Sequence, residues 1–353
     1  MWLLQNATPF EAERTWIRDA EGAEVWLVAI KATFEIDPEG RQFVAEVQEP
    51  ISRVPLFAGD PAETGLVEET DFVLRKARTD VLLKGHAYAP EGRPAERVPV
   101  RIKVASIDKT LNVFGERSLS EDTAGPMPGR PQPFEKMEIV YERSFGGTDR
   151  SSEDPAEHAW EPTNPVGVGF GLRKDHVARG PAPNIEYPDA PYRDHRRGRA
   201  AGFGPVARHW SPRRELAGTY DAAWEKTRFP LPPTDFDDAF YQCAPPDQQS
   251  DGLLLGYERV QLGNLTPEGY LDFVLPRVTF RIVTQFYRGP DRTHEAVLHT
   301  VRLLPDERRF QMVWHSGLPC PYDEARLKET TVALRQRSGV SEATRRSGAW
   351  IPG

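Results

Sequence analysis

Hydrophobic residues recur at every second position over several stretches, and this alternation is the main structural signal in the chain. Over Glu24–Ile36 (EVWLVAIKATFEI), Trp26, Val28, Ile30, Phe34 and Ile36 share one face and Lys31, Thr33 and Glu35 the other. That pattern predicts a strand with one apolar and one polar side. Asp37-Pro38-Glu39-Gly40 supplies a turn, since proline presets φ and glycine tolerates positive φ, and Phe43, Ala45 and Val47 alternate on a return arm. A second block holds a short run at residues 72–74, the series Val81, Leu83, Gly85, Ala87, Ala89, and the series Val98, Val100, Ile102, Val104. Asp108-Lys109 reads as the turn into a strand at 110–114. Residues 134–143 read as a further strand, behind a turn-rich, mobile surface loop at 121–133.

The alternation resumes late in the chain. Segments 253–262 and 270–275 flank the turn Thr266-Pro267-Glu268-Gly269, and 278–286 alternates throughout. Two more strands, Val297–Leu304 and 310–314, are joined by Pro305-Asp306-Glu307. Residues 323–328 read as a short helix and 330–334 as a last extended run. Strands joined by short turns favour antiparallel packing over a parallel α/β sheet. The expected fold is mainly β: an antiparallel sandwich or barrel-like body built from the N-terminal part (1–143) and the C-terminal part (251–337). A long, ordered but irregular central segment (144–250) packs across it, and 338–353 forms a flexible tail.

That central segment contains fourteen Pro and ten Gly, yet also Trp160, Phe170, Phe203, Trp210, Tyr220, Trp224, Phe229, Phe236 and Phe240. A solvated linker has no use for so many rings. The segment therefore reads as anchored on its aromatics, most of them its own core and a minority exposed, and as the working surface.

Composition narrows the function. With 45 basic against 53 acidic residues the net charge is −8, which disfavours nucleic acid and anionic membrane as partners. Arg193, His195, Arg196, Arg197 and Arg199 make one local basic run, which reads as a solvated loop balancing nearby aspartates. Cys243 and Cys320 are the two cysteines, too few for a disulfide framework or a zinc site, and read as unpaired thiols. The N-terminus lacks the pattern of a signal peptide and no apolar run reaches membrane-spanning length, so the chain reads as soluble and cytoplasmic.

The search for catalytic chemistry returns little. GVGFG (167–171) neither follows a strand nor opens a helix, so it does not read as a dinucleotide loop. Neither a phosphate loop nor a nucleophile elbow occurs. The eight histidines form no metal-ligand spacing, and no cofactor is expected. His209, between Arg208 and Trp210, is either hydrogen-bonded inside the aromatic segment or catalytic with a carboxylate partner. His294 and His299 read as neighbours on one strand, pointing to opposite faces. Asp235, Asp237 and Asp238, beside Pro232-Pro233, read as turn formers and helix caps. Asp247-Gln248-Gln249 follows Pro245-Pro246, which holds the chain extended. These three side chains either satisfy buried backbone groups or build a polar binding site.

Several landmarks occur together and in order. They are Thr79-Asp80-Val81 with Gly85-His86-Ala87, Lys109-Thr110-Leu111 to Phe114-Gly115, Tyr141-Glu142-Arg143-Ser144-Phe145-Gly146-Gly147, and Asn164-Pro165-Val166-Gly167. Then come Pro183-Asn184-Ile185-Glu186, Ala201-Gly202-Phe203-Gly204-Pro205 with Trp210, Ala217-Gly218-Thr219-Tyr220-Asp221 with Trp224, Ala244 to Gln249, and Asn264-Leu265-Thr266-Pro267. With these the chain resembles a bacterial domain-of-unknown-function family whose genes often lie beside those of the VgrG and PAAR spike proteins of type VI secretion. The resemblance implies a non-enzymatic adaptor or chaperone that binds a toxic effector and helps load it onto the VgrG–PAAR spike. It implies a protein effector as partner, with VgrG or PAAR as a further one, and it carries no catalytic residues. Candidate partner-binding residues are Arg143, Trp160, Asn164, Phe203, His209, Trp210, Tyr220, Trp224, Asp247, Gln248 and Gln249. The alternatives are a hydrolase-like enzyme with its active site under the central segment, and a structural component of the secretion machine.

Overall fold

The long alternations become strands, and the strands gather into three main sheets. The structure, a computed structural model, describes residues 3–121, 125–320 and 327–335. A six-stranded sheet runs in the order Glu11–Arg18, Glu24–Ile36, Arg309–Pro319, Val297–Leu304, Asp80–Leu83, with Gln42–Val44 as the hairpin arm of Glu24–Ile36. A five-stranded sheet has the order Ile185–Glu186, Ile107–Phe114, Arg97–Val104, Arg259–Gly263, Tyr270–Val274. Leu3–Ala7, Leu327–Leu334, Phe280–Phe286 and Arg292–His294 form a four-stranded sheet. Most pairings are antiparallel, and none of these sheets closes into a barrel among the described residues. The body is therefore sandwich-like and drawn from both ends of the chain, as the alternation predicts.

Register decides what meets in the core. Ile30 pairs with Trp314, Phe34 with Phe310, and Phe310 with Leu303, so these side chains share one face of the six-stranded sheet. That face packs on the other two sheets in one continuous apolar cluster. Phe310 stacks on Phe34 at 5.0 Å and on Phe273 of the five-stranded sheet at 4.9 Å, and Trp314 meets Phe280 edge-on at 5.1 Å. The central segment joins the same core: Ile185 pairs beside Val113, and Ala201 and Phe203 are fully buried in it.

Several local expectations need correction. The strand Glu24–Ile36 is buried on both faces, with Lys31 and Thr33 as inaccessible as Phe34, because chain 45–71 covers its polar side. The hairpin after Val104 turns at Ala105-Ser106, with Ala105 at φ +50°, so Asp108 and Lys109 lie inside the second strand. No glycine or asparagine marks that turn. The series from Val81 to Ala89 breaks at Gly85 into Asp80–Leu83 and His86–Tyr88, which belong to different sheets. Residues 72–74 are irregular, and the strand expected at 134–143 shrinks to Lys136–Glu138.

His294 and His299 sit on separate strands in separate sheets. Of the expected helix at 323–328, residues 323–326 lie outside the described residues, while Leu327 and Lys328 are strand. The tail 338–353 lies outside them too. Residues 122–124 of the 121–133 loop are likewise outside, and its later part is hydrogen-bonded back to 116–120.

Candidate functional site

The strand Asp80–Leu83 is the outermost of the six-stranded sheet, and an uncovered edge would leave its backbone groups unpaired. The central segment covers it. Leu83 N donates to Phe203 O at 3.0 Å, and Asp80 bridges Gln249. The fully buried Gln248 donates through Nε2 to Val81 O at 2.7 Å and to Phe203 O at 2.9 Å. Gln249 donates to Ala244 O at 2.9 Å. Gln248 and Gln249 thus fill the backbone-satisfying role, whereas the Asp247 carboxylate meets side chains.

Beside this lid lies a cluster that the misplaced turn concealed. Lys109 shares its strand face with Ile107, Leu111 and Val113, and its ammonium donates to Gly202 O at 2.7 Å, Gln248 Oε1 at 2.7 Å and Asp247 Oδ1 at 2.9 Å. Burial pushes its pKa down to about 8, against the pull of Asp247. Asp247 also accepts from Tyr187 Oη at 2.7 Å, and Arg199 lies flat over the Tyr187 ring at 3.5 Å. A lysine in phase with apolar neighbours was the sequence signal for this site.

A larger polar layer underlies the covered face of the six-stranded sheet. Lys31 Nζ lies 2.6 Å from Asp71 and 2.9 Å from Glu68, and donates to Pro50 O and Ser52 Oγ. Arg302 Nη1 lies 2.5 Å from Glu68 and donates to Gln311 at 2.8 Å. Burial raises the Glu68 carboxyl, but the Arg302 and Lys31 charges outweigh it and hold the pKa at about 2. Further along, Lys76 contacts Asp80 at 2.6 Å and Thr300 at 3.1 Å, while Asp80 also accepts from Gln242 and from the Cys243 backbone. Burial raises the Cys243 thiol to about 12, so it stays protonated. Glu69 joins Arg208 and the buried Arg213, each at 2.9 Å.

Where this layer reaches the surface, a pocket of about 340 Å³ opens. Its apolar walls come from Leu56, Phe57 and Leu66 of a small hairpin, Leu82 of the edge strand, Ile139 and Phe203. Lys84, Glu138, Glu142 and Arg302 add polar edges.

The predicted site residues do not converge on one spot. Trp210 is fully buried, edge-on to Tyr141 at 5.4 Å, and its Nε1 donates to His209 Nε2 at 3.0 Å. His209 therefore carries its proton on Nδ1, toward the Pro61 carbonyl, and burial lowers its pKa. That is the hydrogen-bonded alternative for this ring. Asn164 is buried and donates to Tyr141 O and Phe145 O, and Arg143 pairs with Glu116 at the surface. A Cβ on Gly167 would lie 2.4 Å from Asn164 Nδ2, so the glycines of GVGFG serve close packing. Asp235 accepts from Thr219, and Asp237 caps a short helical turn, as the turn-and-cap reading has it.

Of the nine large rings singled out in the central segment, Phe203 and Trp210 are buried and Phe170, Phe236 and Phe240 half-buried, fewer in the core than expected. Tyr220 and Phe229 are 56% and 66% exposed, Trp160 is 49% exposed, and Trp224 is half-buried. Tyr220 and Trp224 are 4.7 Å apart, and Trp224 and Phe229 5.7 Å, forming one ledge. The helix Ala222–Thr227, capped by Asp221, and the bond from Trp224 Nε1 to Leu231 O hold the ledge in shape. Arg213 and Arg228 fasten this arm to the body through Phe240 O, Val206 O and Ala20 O.

Among the described residues, no group of three or more His, Cys, Asp and Glu is placed to hold a metal ion, and no helix is long and apolar enough to cross a membrane. A family model described as "uncharacterized protein conserved in bacteria" (DUF2169) matches residues 21–315, and the chain belongs to that family. No curated protein and no solved structure matches it.

Proposed function

We propose that this chain is a protein-holding adaptor of type VI secretion, a cytoplasmic chaperone that binds a toxic effector and helps mount it on the VgrG–PAAR spike. The resemblance in the sequence supplies the setting, and the aromatic arm supplies the means. Tyr220, Trp224 and Phe229 form an exposed ledge that its own cap and hydrogen bonds already hold rigid. Rings of this kind bury much area for few frozen torsions, and a preformed ledge loses little entropy on binding. This ledge is the observation that carries the reading.

The test is co-expression with the toxin encoded beside this gene. The toxin should be soluble and co-purify with the chain, and equal solubility without the chain rejects the chaperone role. The double variant Tyr220→Ser, Phe229→Ser should lower capture at least tenfold. Its melting temperature should stay at the wild-type value.

A further inference from the structure

Building on the adaptor reading, we infer that the pocket beside the edge strand takes one large apolar side chain from an extended, uncharged stretch of the bound protein. At about 340 Å³ it lies at the small end of ligand sites, with room for a side chain and its flanking peptide groups. Its walls are apolar, and its charged lining is balanced, Lys84 and Arg302 against Glu138 and Glu142. Such a lining has no surplus charge with which to repay the desolvation of an ionic ligand.

Arg302 is held within this wall, its Nη1 engaged by Glu68 and Gln311. The rim also suits an extended chain. Leu56 is 56% exposed, and the hairpin that carries it is a two-stranded sheet, so each strand keeps one edge without a strand neighbour among the described residues. An incoming segment can bond such an edge while alternate side chains point into the pocket.

The probe is N-acetyl-phenylalaninamide, titrated onto the full chain and followed by ligand-observed NMR, with N-acetyl-phenylalanine as the anionic control. The amide should bind saturably, the acid at least tenfold more weakly. Ala58→Trp, at an exposed lining position, should abolish amide binding and reduce toxin capture at least fivefold while the melting temperature holds. Absence of saturable amide binding, equal binding by Ala58→Trp, equal binding of the acid, or toxin capture untouched by Ala58→Trp would each overturn the inference. Those outcomes leave the adaptor reading to the co-expression experiment, which fails or succeeds through the aromatic ledge.

Discussion

On one face of the six-stranded sheet, Phe310 lies stacked between Phe34 and Phe273; on the other, Lys31 sits among Asp71, Glu68 and Ser52. Along Glu24–Ile36 both faces are inaccessible to solvent. The first is covered by regular strands, and apolar packing there asks only for shape and volume. The second is covered by irregular chain, and each buried charge there asks for a specific partner at a specific place. Glu68, Asp71 and Gln242 answer Lys31, Arg302 and Asp80, and so fix where an otherwise unpatterned cover must lie. The lesson is that polar contacts do for the loops what strand pairing does for the sheets.

The largest expected effects test whether the two covers are equally firm. Phe310→Ala on the oily side and Trp210→Ala under the irregular cover should each cost about 3–5 kcal/mol in urea denaturation. A loss under about 1 kcal/mol for Trp210→Ala would mean that the cover is loosely packed. Lys31→Met should cost a similar amount, about 3–5 kcal/mol, because it strands the buried Asp71 without its direct cation and leaves Glu68 with Arg302 alone.

Acid should separate the faces next. Burial, helped by Lys76, lowers the His315 pKa to about 4 from its ordinary value of 6.5. Between those values the unfolded chain binds the proton and the native chain does not. Stability from this group is therefore complete above pH 6.5 and falls as the pH drops toward 4, by on the order of 3 kcal/mol. Denaturation midpoints across that window should decline in the wild type and decline less in His315→Gln. Glu68 acts at lower pH: its contribution is present above its ordinary pKa and is lost as the pH falls toward about 2. The smallest effect belongs to Phe229→Ser, whose exposed ring should change stability by no more than about 0.5 kcal/mol.

The same contrast explains what could be read from the sequence. The oily face was legible because it repeats: Glu24–Ile36 and its following turn stand where the alternation puts them. The polar face was not, because a lysine opposite an apolar stripe looks the same whether water or a buried carboxylate meets it. Lys109 was lost to an assumed turn, and the true turn at Ala105-Ser106 lacks the glycine that would announce it. Gln248 was found because prolines flagged its segment, although Pro246–Gln248 forms a 3-10 turn and not the extended chain expected, and Trp210 because a ring among prolines needs burial. The ledge of Tyr220, Trp224 and Phe229 stood out as aromatic, but which rings face outward depends on folds of the chain that no periodicity encodes.

In the six-stranded sheet, Ile30 lies against Trp314. Glu24–Ile36 finds Glu11–Arg18 on one edge early, but the chain must emerge beyond residue 314 before its other edge is paired. Such distant pairing makes for slow folding and a long exposed interval. During its own synthesis this chain is itself in need of shelter.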